Sequence, residues 1–403
     1  MPKTNLSGYA RHTISEDDLA AVGRVLQSDS LTSGPMVKEF ESQFCNEVGA
    51  KYAIACSSGT AALHLAALAL ELGPGDAVIV PAITFLASAN MARYVGADVV
   101  FADVDPSTGL MTERNLLDAL ATPLGKKAKA IVNVHLGGQC DRPDRIEMIA
   151  KQHGLRVIED ACHAVGTTYF SDCSEEKGTR YKIGACAHSS MAVFSFHASK
   201  VITTGEGGAV TTNDPNLYQR MVRFRNHGMI WMADSDGDIA KEGESKPWYY
   251  EMEDIGFNFR MTDFQAALGC SQLKKLEQFS EKRRYLISCY DRELKAQIPD
   301  VSLIPKVAGC IPAWHLSIIL VDYAAMGVSR SKVMQAMKAQ KIGTQVHYIP
   351  VNSQPYYRRL YGDLQLAGAQ AYYDRTLSLP LFPNMEDEDV KTIVGSLKHA
   401  LFQ

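Results

Sequence analysis

"VFSFHASKVITTGEGGAV" (residues 193–210) is a run of strand-type apolar residues that stops at a lysine and breaks into threonines and glycines. Two readings of Lys200 are open. It reaches for solvent, or a pocket holds it with its pKa lowered, as Schiff-base lysines are held. Ser195 and the small residues of "TTGEGG" (203–208) favour the pocket, because they surround the amine with hydroxyls and little bulk.

Upstream of this stretch, strand-like and helix-like patches alternate. "KYAIAC" (51–56) precedes the helix-like "GTAALHLAALALEL" (59–72), and "AVIVPA" (77–82) precedes "FLASANMARYV" (85–95). "DVVFADV" (98–104), "KAIVNVHL" (129–136), the helical "RPDRIEMIAKQH" (142–153) and "LRVIEDA" (155–161) continue the pattern. Short apolar strands separated by helices predict an α/β fold with a mostly parallel sheet sandwiched by helices. Ligands then meet the loops at the carboxyl ends of the strands. Those loops are "CSSGT" (56–60), "PAITF" (81–85), "HLGGQ" (135–139), "EDACH" (159–163) and "FHASK" (196–200), all rich in small or polar residues.

Beyond about residue 265 the texture changes. Residues 262–294 read as one long amphipathic helix or a pair; "AWHLSIILV" (313–321) and "GTQVHYIP" (343–350) read as strands, and "SRSKVMQAMKAQ" (329–340) as a helix. The expected division is a large α/β domain over 1–265 and a smaller α+β domain over 266–403. Residues 232–247 read as an exposed polar loop.

Composition bounds the function. With 46% hydrophobic and 21% charged residues and a net charge of -4, the 403-residue chain lacks the basic excess of a nucleic-acid binder. No stretch reads as a membrane span, and the first residues lack a secretory apolar core. The nine cysteines include no CxxC pair, which suits a cytoplasmic protein without a metal site.

Three features carry chemistry. In "SSGTAALHLA" (57–66), Gly59 allows a tight turn and a helix opens at Thr60 and Ala61; it is either a phosphate cradle or merely a capped helix start. Asp160 falls at the end of a buried strand, so its carboxylate needs a partner: an arginine, or a protonated heteroaromatic nitrogen. Lys200 is the third. Together they suit pyridoxal 5'-phosphate (PLP), with Ser195 and the helix start at the phosphate. At an effective dielectric near 20 and ~4 Å, an aspartate–pyridinium pair is worth ~4 kcal/mol, roughly three pKa units. That is enough to keep the ring nitrogen charged at neutral pH.

These segments, with "PAITFLASAN" (81–90), "EDACHAVG" (159–166) and "GFNFRMTDFQAALGCSQL" (256–273), resemble the DegT/DnrJ/EryC1 family of sugar-nucleotide aminotransferases. The resemblance runs from "DSLTSGPMVKEFE" (29–41) to "SLPLFPNM" (378–385). "EGGAVTTND", "KPWYYEMEDIGFNFRMTD" and "VHYIPVNSQPYYRRL" look most like the pseudaminic acid branch, UDP-4-amino-4,6-dideoxy-N-acetyl-β-L-altrosamine transaminases.

The resemblance implies a fold-type I PLP enzyme and a homodimer with shared active sites. L-Glutamate is its amino donor, pyridoxamine 5'-phosphate its intermediate cofactor form, and a UDP-linked 4-keto-6-deoxy sugar its acceptor. Lys200 matches the family's imine lysine and proton carrier, and Asp160 the partner of the pyridine nitrogen. His163 matches the residue beside the ring hydroxyl and Phe85 the stacking aromatic. Thr60, Ala61 and Ser195 match phosphate contacts, and Asn258 the asparagine reaching in from the neighbouring subunit. Thr32, His197, Arg260, His347 and Tyr348 fall in sugar-nucleotide segments. Asn352 and Ser199 depart from the branch pattern. A GDP-linked or 3-keto sugar, a PLP dehydratase, which would carry histidine in place of Lys200, and a non-catalytic binder are the alternatives.

Overall fold

The computed structural model describes residues 4–173, 178–231 and 248–402; the polar stretch 232–247 lies outside them. Among the described residues, seven strands form the central sheet. In chain order they are β1 (Tyr52–Cys56), β2 (Ala77–Pro81), β3 (Asp98–Ala102), β4 (Ala128–Val134), β5 (Arg156–Asp160), β8 (Met191–Ser195) and β9 (Gly208–Thr212). The short β6 (Thr168–Phe170) and β7 (Arg180–Lys182) pair with each other outside it. The sheet order is β1-β9-β8-β5-β4-β2-β3.

β9 runs antiparallel to both of its neighbours, and the pairings from β8 to β3 are parallel. Six strands therefore point one way, and their carboxyl ends share one edge. β2 is buried along its whole length, as a parallel strand covered on both faces must be, which is why "AVIVP" shows no polar alternation.

The helices in chain order are α1 (Glu16–Leu26), α2 (Pro35–Val48), α3 (Gly59–Ala69), α4 (Leu86–Tyr94), α5 (Glu113–Ala121), α6 (Pro143–Gln152), α7 (Pro215–Arg225), α8 (Asp263–Leu273) and α9 (Leu276–Gln297). α3 is apolar nearly all round because α4, α7 and the sheet enclose it. The stretch 262–294 is a pair of helices. α8 starts on a capping box in which Thr262 and Gln265 satisfy each other's backbone N–H.

Past α9, a three-stranded sheet containing Ser317–Leu320 and Thr376–Leu379 packs its own core with α9 and helix Asp387–Phe402. Two expected strands are corrected here. "AWHLSIILV" is extended into the sheet only over Ser317–Leu320, and "GTQVHYIP" is irregular apart from one bridge, Gln345 to Ser378. Residues 346–350 leave the sheet and turn toward the carboxyl edge of the large one, where Val351 N–H bonds to the Ala82 carbonyl.

Candidate active site

The chain after β8 is held in a tight loop by its own threonines. Phe196 C=O accepts from the backbone N–H of Thr204 and from Thr203 Oγ1, and Thr203 Oγ1 accepts from Gly205 N–H. Gly205 takes φ +80°, a left-handed turn open to glycine, which sends the chain back as β9. The threonines and glycines of "TTGEGG" thus turn the strand around while leaving Lys200 at its end. Lys200 N–H bonds to His197 C=O at 2.9 Å.

Lys200 faces a cavity of about 510 Å³ at the carboxyl edge, lined by residues after β1, β2, β5 and β8 and by the 345–349 segment. Four of the five expected loops reach it. "HLGGQ" stands one layer behind, donating Gly137 N–H to His163 Nδ1. Burial pulls the Lys200 ammonium below the ordinary lysine range, with the Cys162 thiol and the Asp160 carboxylate acting the other way.

Asp160 is 6% exposed and lines the cavity. The arginine alternative is excluded among the described residues, where no cationic side chain lies within ion-pair distance of it. Its carboxylate instead accepts from Ser88 Oγ at 2.6 Å and from Cys162 N–H at 3.2 Å. Ser88 in turn shares a 2.7 Å hydrogen bond with Thr84. These neutral groups orient the carboxylate and make no ion pair with it.

The start of α3 is a capped one. Ser58 Oγ caps it by accepting Ala61 N–H at 3.1 Å, and Gly59 and Thr60 line the cavity. A Cβ on Gly59 would meet the Ser195 Cβ at 2.9 Å, and one on Gly208 would meet the Ser58 carbonyl carbon and oxygen at 2.4 Å. Glycine at both positions lets the helix start, the end of β8 and the start of β9 converge. Ala61 is buried and contributes only backbone. Phe85, the residue before α4, leaves its ring 55% exposed within the cavity, 6.1 Å from the Tyr348 ring centre.

His163 Nδ1 accepts the Gly137 N–H at 3.3 Å, so the neutral ring carries its proton on Nε2, 3.1 Å from the Tyr348 hydroxyl. Burial, then the Lys200 charge, hold His163 well below the ordinary histidine range. His347 bonds Ser378 Oγ at 2.8 Å, and burial pushes its pKa down to about 3.

A histidine buried neutral takes up its proton only on unfolding, so the unfolded chain binds the extra proton below about pH 6.5. The stabilisation from His347 is complete above that pH and is lost as pH falls toward 3. We expect His347→Gln to flatten the acid limb of the unfolding free energy by up to about 1.4 kcal/mol per pH unit. Urea titrations of both proteins at several acidic pH values measure it, and parallel curves would contradict it.

Ser195 and His197 line the cavity, and so does Ser199, whose hydroxyl bonds His197 Nδ1 at 2.9 Å. Thr32, Asn258 and Arg260 do not. Thr32 bridges Thr262, exposed Asn258 bridges Asn226, and Arg260 bonds the Asn226 side chain. Asn352 also lies elsewhere, donating to Leu364 C=O at 3.0 Å beside a second cavity. The sequence reading passed over Tyr9, Glu206 and Gln345, which line the site, and Thr84 and Ser88, which hold Asp160. The i,i+4 spacing of Thr84 and Ser88 was the available signal; for Tyr9, carried in by an N-terminal segment that bonds to Leu381, there was none.

The model of the DegT/DnrJ/EryC1/StrS aminotransferase family matches residues 12–398. The chain belongs to that family. Membership makes it a PLP-dependent aminotransferase. It is 40% identical, over 97% of this chain and 96% of the relative, to the spore coat polysaccharide biosynthesis protein SpsC of Bacillus subtilis (strain 168). Among solved structures it resembles Helicobacter pylori PseC, an aminotransferase involved in pseudoaminic acid biosynthesis, at 30% identity and TM-score 0.84 over 98% of both chains. The PLP form of Spr1654 from Streptococcus pneumoniae is 27% identical, also with TM-score 0.84 over 98% of both chains. These matches make the fold that of the fold-type I aminotransferases.

The aminotransferase site fits PLP. The glycine-lined start of α3 suits the phosphate, the Asp160 carboxylate suits a ring nitrogen, and the exposed Phe85 ring suits an aromatic face. Among the described residues no helix is long and apolar enough to cross a membrane.

Proposed function

We propose that the protein moves an amino group from L-glutamate to the C4 ketone of a UDP-linked 4-keto-6-deoxy-N-acetylhexosamine, an amino-sugar step of the pseudaminic type. The observation that carries this is the placing of Lys200 and Asp160 in one cavity with the start of α3. The 98% overlap with PseC supports the branch.

When bound, PLP supplies an electron-accepting ring that lets the amino group pass between two substrates. Asp160, steered by Ser88 and Cys162 N–H, would keep the ring nitrogen protonated. Ser195, Thr60 and the first amides of α3, with Ala61, would hold the phosphate, and Phe85 would pack on the ring. Lys200, eased toward its neutral form by burial, would hold the group and serve as base and acid for the proton being moved. His163 would offer Nε2–H to the ring oxygen.

His197, His347 and Tyr348 face the sugar from within the subunit. Thr32, Arg260 and Asn258, turned away from their own cavity, serve the neighbouring site of a homodimer. The larger working unit is 1–265, the smaller 266–403, and the enzyme acts in the cytoplasm without a metal.

The similarity to SpsC favours a second reading, in which another nucleotide-linked keto sugar, GDP-linked or with a 3-ketone, is the acceptor. Incubating the enzyme with L-glutamate and each keto sugar, and following 2-oxoglutarate, separates the two. Turnover of the UDP 4-keto sugar is expected. Turnover of the GDP sugar alone would replace the branch assignment, and no turnover with any sugar would remove the reading.

A further inference from the structure

Behind His163 lies a buried layer that the reaction outlined above does not use. The His315 ring packs on the His163 ring with centroids 4.5 Å apart and planes 49° apart, is 2% exposed, and leaves Nδ1 without a partner. The backbone ties the two together. Gly137 donates its N–H to His163 Nδ1 and accepts the His315 N–H at 2.9 Å. A Cβ on Gly138 would strike Ala313 O at 2.5 Å and His315 N at 3.1 Å, so the "HLGG" turn is pressed against this segment.

Arg283 of α9 stands behind His315 and is fully buried. Its Nη1 donates to the carbonyls of Trp314, His315 and Leu381 at 3.3, 3.3 and 3.0 Å. Nε and Nη2 have no partner, and among the described residues no carboxylate pairs with it. A buried guanidinium with no counter-charge is unfavourable as a packing element alone. It does, however, fix the His315 backbone, whose N–H bonds Gly137, the residue that donates to His163 Nδ1.

We propose that His315 and Arg283 are positioning residues for His163, holding its ring neutral, with Nδ1 as acceptor and Nε2–H directed into the cavity. The inference rests on the cofactor reading above, which supplies the ring oxygen for that N–H to meet. A protonated His163 would break the Gly137 bond and add a second cation beside Lys200; a flipped ring would present a lone pair to the oxygen.

The groups facing His163 are Lys200 after β8, His347 and Tyr348 of the 345–349 segment, and His315 with Arg283 behind it; Asp160 lies at the end of its own strand. Burial and then Lys200 hold His163 below the ordinary histidine range, and burial, with Lys200 and Arg283 among the charges, does the same for His315.

The test uses the full chain labelled with 15N-histidine, first without cofactor, with His163 assigned through H163N. The ring is expected to keep Nε2–H and an unprotonated Nδ1 from about pH 5 to about pH 8. In R283M and in H315A it is expected to mix tautomers, and in H315F, which keeps the packing, to remain as in the parent. With cofactor, H315A should lower kcat roughly tenfold, the scale of losing an orienting partner, with KM for the sugar nearly unchanged. It should also shift the pH at which the bound cofactor's absorbance changes.

A parent ring that titrates in the window, or that carries its proton on Nδ1, overturns the proposal. So do R283M and H315A spectra identical to the parent. Because the parent spectrum decides even if R283M does not fold, and because it needs no cofactor, failure here is distinct from failure of the aminotransferase reading.

Discussion

Replacing Lys200 by alanine is expected to reduce transamination by about 10⁴-fold or more, because one side chain both anchors the cofactor and carries the proton. The loss is chemical and leaves the fold in place. Lys200 lines the cavity from a loop whose hydrogen bonds run through Phe196, Thr203 and Thr204 rather than through its own side chain. The melting temperature of the cofactor-free protein should therefore stay near the parent value. Borohydride treatment of the loaded parent should fix the cofactor to the peptide containing Lys200, and K200A should yield no such adduct. Turnover of K200A near the parent rate would end the assignment of Lys200 and with it the mechanism.

Asp160→Asn is expected to lower kcat by about 10³-fold, corresponding to the ~4 kcal/mol that an aspartate–pyridinium pair provides. The structure makes this a test of charge alone. An asparagine can keep its carbonyl oxygen toward Cys162 N–H and turn its amide toward Ser88 Oγ, whose hydrogen, given to Asp160 in the parent, is then free to go to Thr84. Every hydrogen bond then has a partner, so the variant should fold and bind cofactor weakly. A drop of only a few-fold would show that the ring nitrogen need not be charged. Ser88→Ala should fall between parent and D160N, since it loosens the carboxylate without neutralising it.

Much of this was legible in the chain, and the reasons are local. Strand segments such as "AVIVP" and "MAVF" are apolar throughout because they are buried on both faces, and a strand ending in "ED" or in "FHASK" announces where its polar residues emerge. Parallel strands send those residues to one edge, so Asp160, Lys200 and the "SSGT" turn were predictable as neighbours before any coordinates.

The C-terminal third was harder. "GTQVHYIP" alternates like a strand, yet its backbone pairs at one point only, because His347 and Tyr348 pack against His163 and Ser378 instead. Tertiary packing overrode the local preference.

From the residues alone came the sheet of parallel strands, the lysine, the aspartate and the glycine turn, since each depends on burial pattern and backbone freedom over a few positions. Only the folded chain decided that Asp160 is held by Ser88 rather than by an arginine. It also brought Tyr9 and Gln345 to the cavity, kept Thr32, Asn258 and Arg260 away from it, and placed a buried Arg283 behind His315, whose ring packs on that of His163. Those are contacts between segments far apart in sequence, and no short-range pattern encodes which distant side chain fills a given space.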